Sequence, residues 1–307
     1  MSSTASLILI ANCTATKRVS AGDALMLRKW TGTIRQRFAW WTKAIDAAGF
    51  LTPARYCYAG DAWAQVLAAE SVKPECTLLW VVSAGLGLIS VDQPIPNYSA
   101  TFINSDSDSI GHSKNQNIDW WNLCVEWQRK KTGVGSIADL ATANPDAKFV
   151  VALSTSYLAV VKNDLILARE SLSSPDNLLV ISAGTRHLPD LHGSLMPIDA
   201  RFENLVGGAR ATLNARMLRH IIEKFKPEQI SASMVESYLN NIATSLKQAR
   251  SYDRKILNDK QIAAFIRKHS RKNSRTSASS LLRLLRDEGS ACEQKRFQRI
   301  YRSIQPE

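Results

Sequence analysis

The fold class is decided by residues 78–98, LLWVVSAGLGLISVDQPIPNY. The stretch opens with Leu78-Leu79-Trp80-Val81-Val82, a short apolar, β-branched run that reads as a buried strand. The run stops at Ser83-Ala84-Gly85, residues small enough to let a ligand approach the backbone. Leu86-Gly87-Leu88-Ile89 and the polar turns Asp92-Gln93-Pro94 and Pro96-Asn97-Tyr98 follow. Open α/β sheets build sites in this way, from strand ends and irregular loops. An ordinary strand and turn gives the same pattern.

Residues 177–184, NLLVISAG, repeat the design, and Thr185-Arg186-His187 lead away from it. Two strands ending alike can face one cleft. Residues 6–11, SLILIA, read as the first strand and run into Asn12-Cys13-Thr14-Ala15-Thr16-Lys17-Arg18. A small, hydroxylated turn carrying a lysine behaves as an anion cradle. Its glycine spacing matches neither a P-loop nor a dinucleotide fingerprint. Residues 148–153, KFVVAL, form another strand, ending at Ser154-Thr155-Ser156-Tyr157.

Helical spacing fills the gaps. Trp30, Ile34, Trp41 and Ile45 recur along residues 23–48, and Asp61 can cap a helix over 61–69. Residues 101–117, rich in Ser, Asp and Asn, read as an exposed loop that orders over a ligand. Helices are expected over 119–131, 137–143 and 158–171, with Trp120, Trp121 and Trp127 as core residues more than as base-stacking platforms. Gly207-Gly208 before a helix lets N–H groups point at an anion. Arg210 and Asn214 then share a helical face, with Asp199 and Arg201 upstream. This alternation predicts an α/β domain, residues 1–225, with a mixed, mostly parallel sheet flanked by helices. Beyond Lys226-Pro227 the pattern is helical only, giving a second region, 226–307.

The chain has 307 residues and a net charge of +12. Residues 251–307 hold 14 Lys and Arg against 6 Asp and Glu, so two-thirds of the excess sits in less than a fifth of the length. Such asymmetry points to nucleic acid or another anionic surface; a solvated basic tail is the plain alternative. Residues 270–277, SRKNSRTS, read as a basic linker. Helices over 279–287 and 291–304 flank Glu288-Gly289-Ser290. They make either a helix-turn-helix pair with a basic second helix or an ordinary helical hairpin. The DNA-contacting candidates are Arg210, Arg216, Arg271, Lys272, Arg275, Lys295, Arg296, Arg299 and Arg302. Five cysteines with no CxxC spacing argue against a disulfide framework or a zinc site. No apolar run approaches the ~20 residues of a membrane span, and no signal-peptide pattern is present. The expectation is a cytoplasmic protein with no membrane, metal or cofactor requirement.

Several segments together resemble the YaaA-like superfamily. They are the strand and turn through Asn12-Cys13-Thr14-Ala15-Thr16-Lys17, an A-x-x-x-Y-x-G segment at 54–60, and an S-A-x-x-G-L-I-like segment at 83–89 followed by Ile95-Pro96-Asn97-Tyr98. At Gly85-Leu86 the chain departs from the basic or aromatic pair of many relatives. Length, basic C-terminal helices and the Gly-Gly-x-Arg…Asn-x-Arg segment resemble the DpdC branch, from bacterial 7-deazaguanine DNA-modification clusters. That resemblance implies hydration of the nitrile of 7-cyano-7-deazaguanine in DNA to the carboxamide, with modified DNA and other proteins of the same system as partners.

The residues suit that chemistry. A thiolate adds to a nitrile to give a thioimidate, which water converts to the amide. Cys13 sits beside Lys17 and Arg18, which favour thiolate. Asp199 can activate water, and Lys17 or Tyr58 can donate a proton. Asn12, Thr14, Tyr58, Ser83, Gly85, Ser182, Arg201 and Asn214 are the candidate base-binding residues. A buried structural Cys13, direct water attack, a non-catalytic DNA-binding protein and a nucleotide N-glycosidic enzyme remain alternatives.

Overall fold

A computed structural model describes residues 6–185, 188–247, 255–270 and 277–304. Five strands form one sheet in the order β3-β2-β1-β4-β5, with β1 Leu7–Asn12, β2 Thr77–Ser83, β3 Gly87–Ser90, β4 Lys148–Ala152 and β5 Leu178–Ile181. All neighbours run parallel except β2 and β3. β1 and β5 are buried along almost their whole length, as near-continuous apolar runs in a parallel sheet require. Residues 194–196 lie along the outer edge of β5: Val180 N–H donates to the Ser194 carbonyl and Met196 N–H to the Val180 carbonyl.

Among the described residues this unit has seven helices of seven residues or more: α1 Ile34–Asp46, α2 Asp61–Glu70, α3 Lys114–Thr132, α4 Ile137–Ala143, α5 Thr155–Ser171, α6 Leu213–Lys224 and α7 Ala232–Ala243. Their starts follow local chemistry. Thr33 and Gln36 make a reciprocal capping box on α1, Ser113 caps α3, and Ser136 with Asp139 caps α4. Gly133, with φ 82°, takes the left-handed turn that ends α3. α2 packs on α6, and α5 on α3 and α4.

Several sequence expectations shift. Residues 101–113 are not an exposed loop: Phe102, Asp108 and Ile110 are buried, because Asp108 receives the Arg28 guanidinium at 2.7 Å and Arg37 donates to the Ser109 and Ile110 carbonyls. The same segment already starts α3 at Lys114. Trp120 and Trp121 are buried core residues. Residues 23–29 form two short 3₁₀ turns ahead of α1. Asp61 is not the cap of α2: Gly60 holds that position, and Asp61 pairs with Arg216.

The chain divides into compact units at residues 1–248 and 249–307, not at 225/226. The all-helical pattern does begin near Lys226, but Ala232, Val235 and Leu239 of α7 bury into the α/β core. The second unit comprises α8 Asp259–Ser270, α9 Ala278–Asp287 and α10 Gln294–Arg302. They close over a small core that includes Ile262, Leu281, Leu285 and Phe297. A two-residue parallel ladder pairs Lys255–Ile256 with Ser290–Ala291. That ladder sits in the connection between α9 and α10, where a plain turn was expected. Residues 271–276 of the expected linker lie outside the described residues.

Candidate functional site

The chain leaves β1 for β2 on one side and later crosses to β4 on the other. The carboxyl ends of β1 and β4 therefore frame a topological switch point, where open α/β sheets bind ligands. Two polar features stand there.

The first is a buried hydroxyl cluster. Cys13, one residue past β1, places its Sγ 3.3 Å from the Tyr157 Oη. Tyr98 Oη lies 2.6 Å from Ser83 Oγ and 2.8 Å from Tyr58 Oη. Ser83, Tyr58 and Tyr98 are fully buried, and Cys13 and Tyr157 are each 4 % exposed. Burial first, and then the nearby Cys13 sulfur, push the phenols of Tyr58, Tyr98 and Tyr157 well above their ordinary range. All three therefore stay protonated and can donate. Burial likewise raises the Cys57 thiol, against the opposing pull of Lys17. Lys17 Nζ lies 4.5 Å from the Tyr98 ring centroid and 5.7 Å from that of Tyr58.

The backbone that carries Ser83 is fastened from three sides. Trp120 Nε1 donates to the Ala84 carbonyl at 2.9 Å, Trp41 Nε1 to Gly85 at 2.6 Å, and Gln128 Nε2 to Leu86 at 2.7 Å. Leu86 N–H in turn donates to Ser83 Oγ at 3.0 Å. Gly85 is required by close approach: a Cβ there would sit 2.7 Å from the Tyr98 ring. Gly85 is thus not a ligand contact but the space into which Tyr98 packs.

The second feature is a cavity of about 70 Å³ lined in part by Asn12, Thr14, Trp63, Ser154, Thr212 and Asn214. Pockets for whole small molecules begin at roughly 300 Å³. Asn12 and Asn214 spend their amides on strand ends. Asn12 Oδ1 accepts from Ser154 N–H and its Nδ2 donates to the Cys13 carbonyl. Asn214 Oδ1 accepts from Ala183 N–H and its Nδ2 donates to the Leu153 carbonyl. Both side chains hold the switch point together instead of offering free groups to a base.

The structure thus gathers Cys13, Lys17, Tyr58 and Ser83, and separately Asn12, Thr14 and Asn214. Others go elsewhere. The Asp199 carboxylate is engaged by Arg201, whose N–H and guanidinium both reach it within 3.0 Å. Ser182 is fully buried with its Oγ 3.1 Å from Thr185 Oγ1. Arg210 pairs with Glu203 and Arg216 with Asp61. In the second unit Arg296 and Arg299 share the Asp259 carboxylate, while Arg302 is exposed. Arg271, Lys272, Arg275 and the Lys295 side chain lie outside the described residues. Sequence reasoning quoted Tyr98 in the segment Ile95-Pro96-Asn97-Tyr98 and Tyr157 in Ser154-Thr155-Ser156-Tyr157 but named neither as a site residue.

No protein-family model, curated protein or solved structure matches the chain. Among the described residues no helix is long and apolar enough to cross a membrane.

Proposed function

We propose that the α/β unit hydrates the nitrile of 7-cyano-7-deazaguanine in DNA to the carboxamide, and that the basic C-terminal unit holds the polymer. One observation carries the reading. The segments that resemble the YaaA-like superfamily are distant in sequence, yet Cys13, Tyr58, Ser83 and Tyr98 meet in one buried cluster, with half-buried Lys17 against its tyrosine rings. The remaining member, Tyr157, supplies what the chemistry needs, a hydroxyl touching the thiol.

In the proposed sequence the Cys13 sulfur bonds to the nitrile carbon. Its proton passes through Tyr157 Oη to the nitrile nitrogen, giving a thioimidate. Water then adds to the same carbon, the C–S bond breaks, and the thiol regains its proton. The net change is the gain of one water. Because Cys13 is 4 % exposed, the base enters through a local opening of the cluster. A base in duplex DNA must first leave the stack.

A second reading, a DNA-binding protein without catalysis, is favoured by the burial of Cys13 and the small cavity. Mass spectrometry of digested cyano-base DNA separates the two. Wild-type protein is expected to add one water, and Cys13→Ala to add none. Binding of such DNA with no mass change in the wild type would establish the second reading and end the first.

A further inference from the structure

Lys17 is a half-buried cation without an anion. Among the described residues no carboxylate lies within 4 Å of its ammonium, whose one hydrogen bond is to the Thr14 carbonyl at 3.4 Å. Arg55, Lys162, Arg201, Arg216 and Arg219, also half-buried in the α/β unit, meet carboxylates, whereas Arg37, Lys73, Lys148 and Arg169 meet neutral oxygens; Lys17 differs from these four in lying over two tyrosine rings. The Tyr98 and Tyr58 rings stand near the Lys17 ammonium but carry no formal charge to balance it.

The turn that carries it is also built open. Thr14 Oγ1 donates to the Thr16 and Ala59 carbonyls, Ala59 N–H to the Thr16 carbonyl, and Arg18 N–H to the Cys57 carbonyl. These bonds pin the turn against residues 57–60. They leave the N–H groups of Thr14, Ala15, Thr16 and Lys17 without an acceptor among the described residues. Consecutive free amides beside a cation are donors that an oxyanion can take up. Arg18 beside them is exposed.

We propose that the Thr14–Arg18 turn binds a phosphate group of a nucleotide, with Lys17 as its counter-ion. Lys17 is then a phosphate-binding residue and not a proton donor. The assignment rests on reading the adjacent cluster as a nucleobase pocket. It places the phosphate at the rim of that pocket and the base toward Cys13.

The test needs neither turnover nor the cyano group, so its failure is distinct from failure of the hydration reading. Binding of inorganic phosphate is followed by ³¹P line broadening with wild-type protein, Lys17→Met and Lys17→Arg. Lys17→Met keeps an apolar stem over the tyrosines and removes the charge. Wild type is expected to bind, Lys17→Met to bind about tenfold more weakly, the worth of one charge-assisted hydrogen bond, and Lys17→Arg to recover most of the loss. Calorimetry with 2′-deoxyguanosine 5′-monophosphate and with 2′-deoxyguanosine forms the second arm, with the monophosphate tighter than the nucleoside in the wild type and in Lys17→Arg, and that advantage lost in Lys17→Met. No phosphate binding by the wild type, unchanged binding by Lys17→Met, or equal binding of nucleoside and nucleotide would each overturn the proposal.

Discussion

The two units bury their apolar surface with different residues. The α/β unit contains all eight tryptophans, the last at Trp127, and fully buries Trp41, Trp120, Tyr58 and Tyr98. The C-terminal unit has no tryptophan, and its core is a handful of aliphatic residues around Phe297. The first unit also answers many of its cations with carboxylates, whereas two arginines of α10 share one, Asp259. Polar groups buried among aromatic rings must be paired, and that pairing fixes a single geometry. A small aliphatic core has no such demand. It sets the shape of a charged surface with little stability to spare.

The difference is open to attack, and the largest effect is expected at Phe297. Phe297→Ala should cost about 3–5 kcal/mol, comparable to the whole stability of so small a core. Far-UV circular dichroism should lose the helicity of the C-terminal unit while the tryptophan-monitored transition stays in place. A tryptophan transition that moves equally would mean the units unfold together. Gly85→Ala is the counterpart in the α/β unit. Its methyl group meets the Tyr98 ring at 2.7 Å and Trp41 at 3.1 Å, and overpacking of this kind costs about 1–3 kcal/mol. Here the tryptophan transition should fall; an unchanged midpoint would show that Tyr98 does not pack on Gly85.

Asp259→Asn tests the charged surface. Releasing Arg296 and Arg299 from an exposed ion pair worth less than about 1 kcal/mol should strengthen duplex binding a few-fold and steepen its salt dependence. Weaker binding would show that the arginines need Asp259 to be presented at all. The smallest effect is acid sensitivity. Burial alone would raise Asp139, but hydrogen bonds to its carboxylate from the Arg129 guanidinium and the Gly135 and Ser136 backbone N–H groups outweigh it and hold the carboxyl below its usual value. A lowered folded value gives stability that is present above the unfolded pKa of about 3.9 and is lost as pH falls through the folded one. The tryptophan transition of the wild type should therefore decline below about pH 4. Asp139→Asn should flatten that decline, and an identical pH profile in the variant would remove the pair from the account.

The parallel strands were legible because each is an apolar run closed by small or polar residues, as at Leu178–Ile181 before Ser182-Ala183-Gly184. β3 was not, since Gly87–Ser90 continues an apolar stretch through a glycine whose positive φ makes a hairpin instead of a loop. Buried Asp108 was hidden for a different reason: its partner Arg28 is 80 residues away, and no local pattern announces such a pair. The site was half visible. Cys13, Lys17, Tyr58 and Ser83 stand in local motifs, whereas Tyr157 joins them through a crossover of 144 residues. Asp199 and Arg201, expected from sequence to activate water and to hold a base, bind one another across two residues, a pairing that their spacing alone does not announce.

The segment 194–196 along β5 carries one further consequence. Sheet margins with open ladders recruit strands from other copies and seed fibrils. At one margin that ladder is taken up at Val180 by the chain's own return, and at the other β3 is only four residues long and runs against its neighbour. Ser194 and Met196 are themselves buried, so removing residues 194–196 should both bare the β5 margin and loosen the core beneath it, and light scattering should show the shortened protein associating at concentrations where the full chain does not.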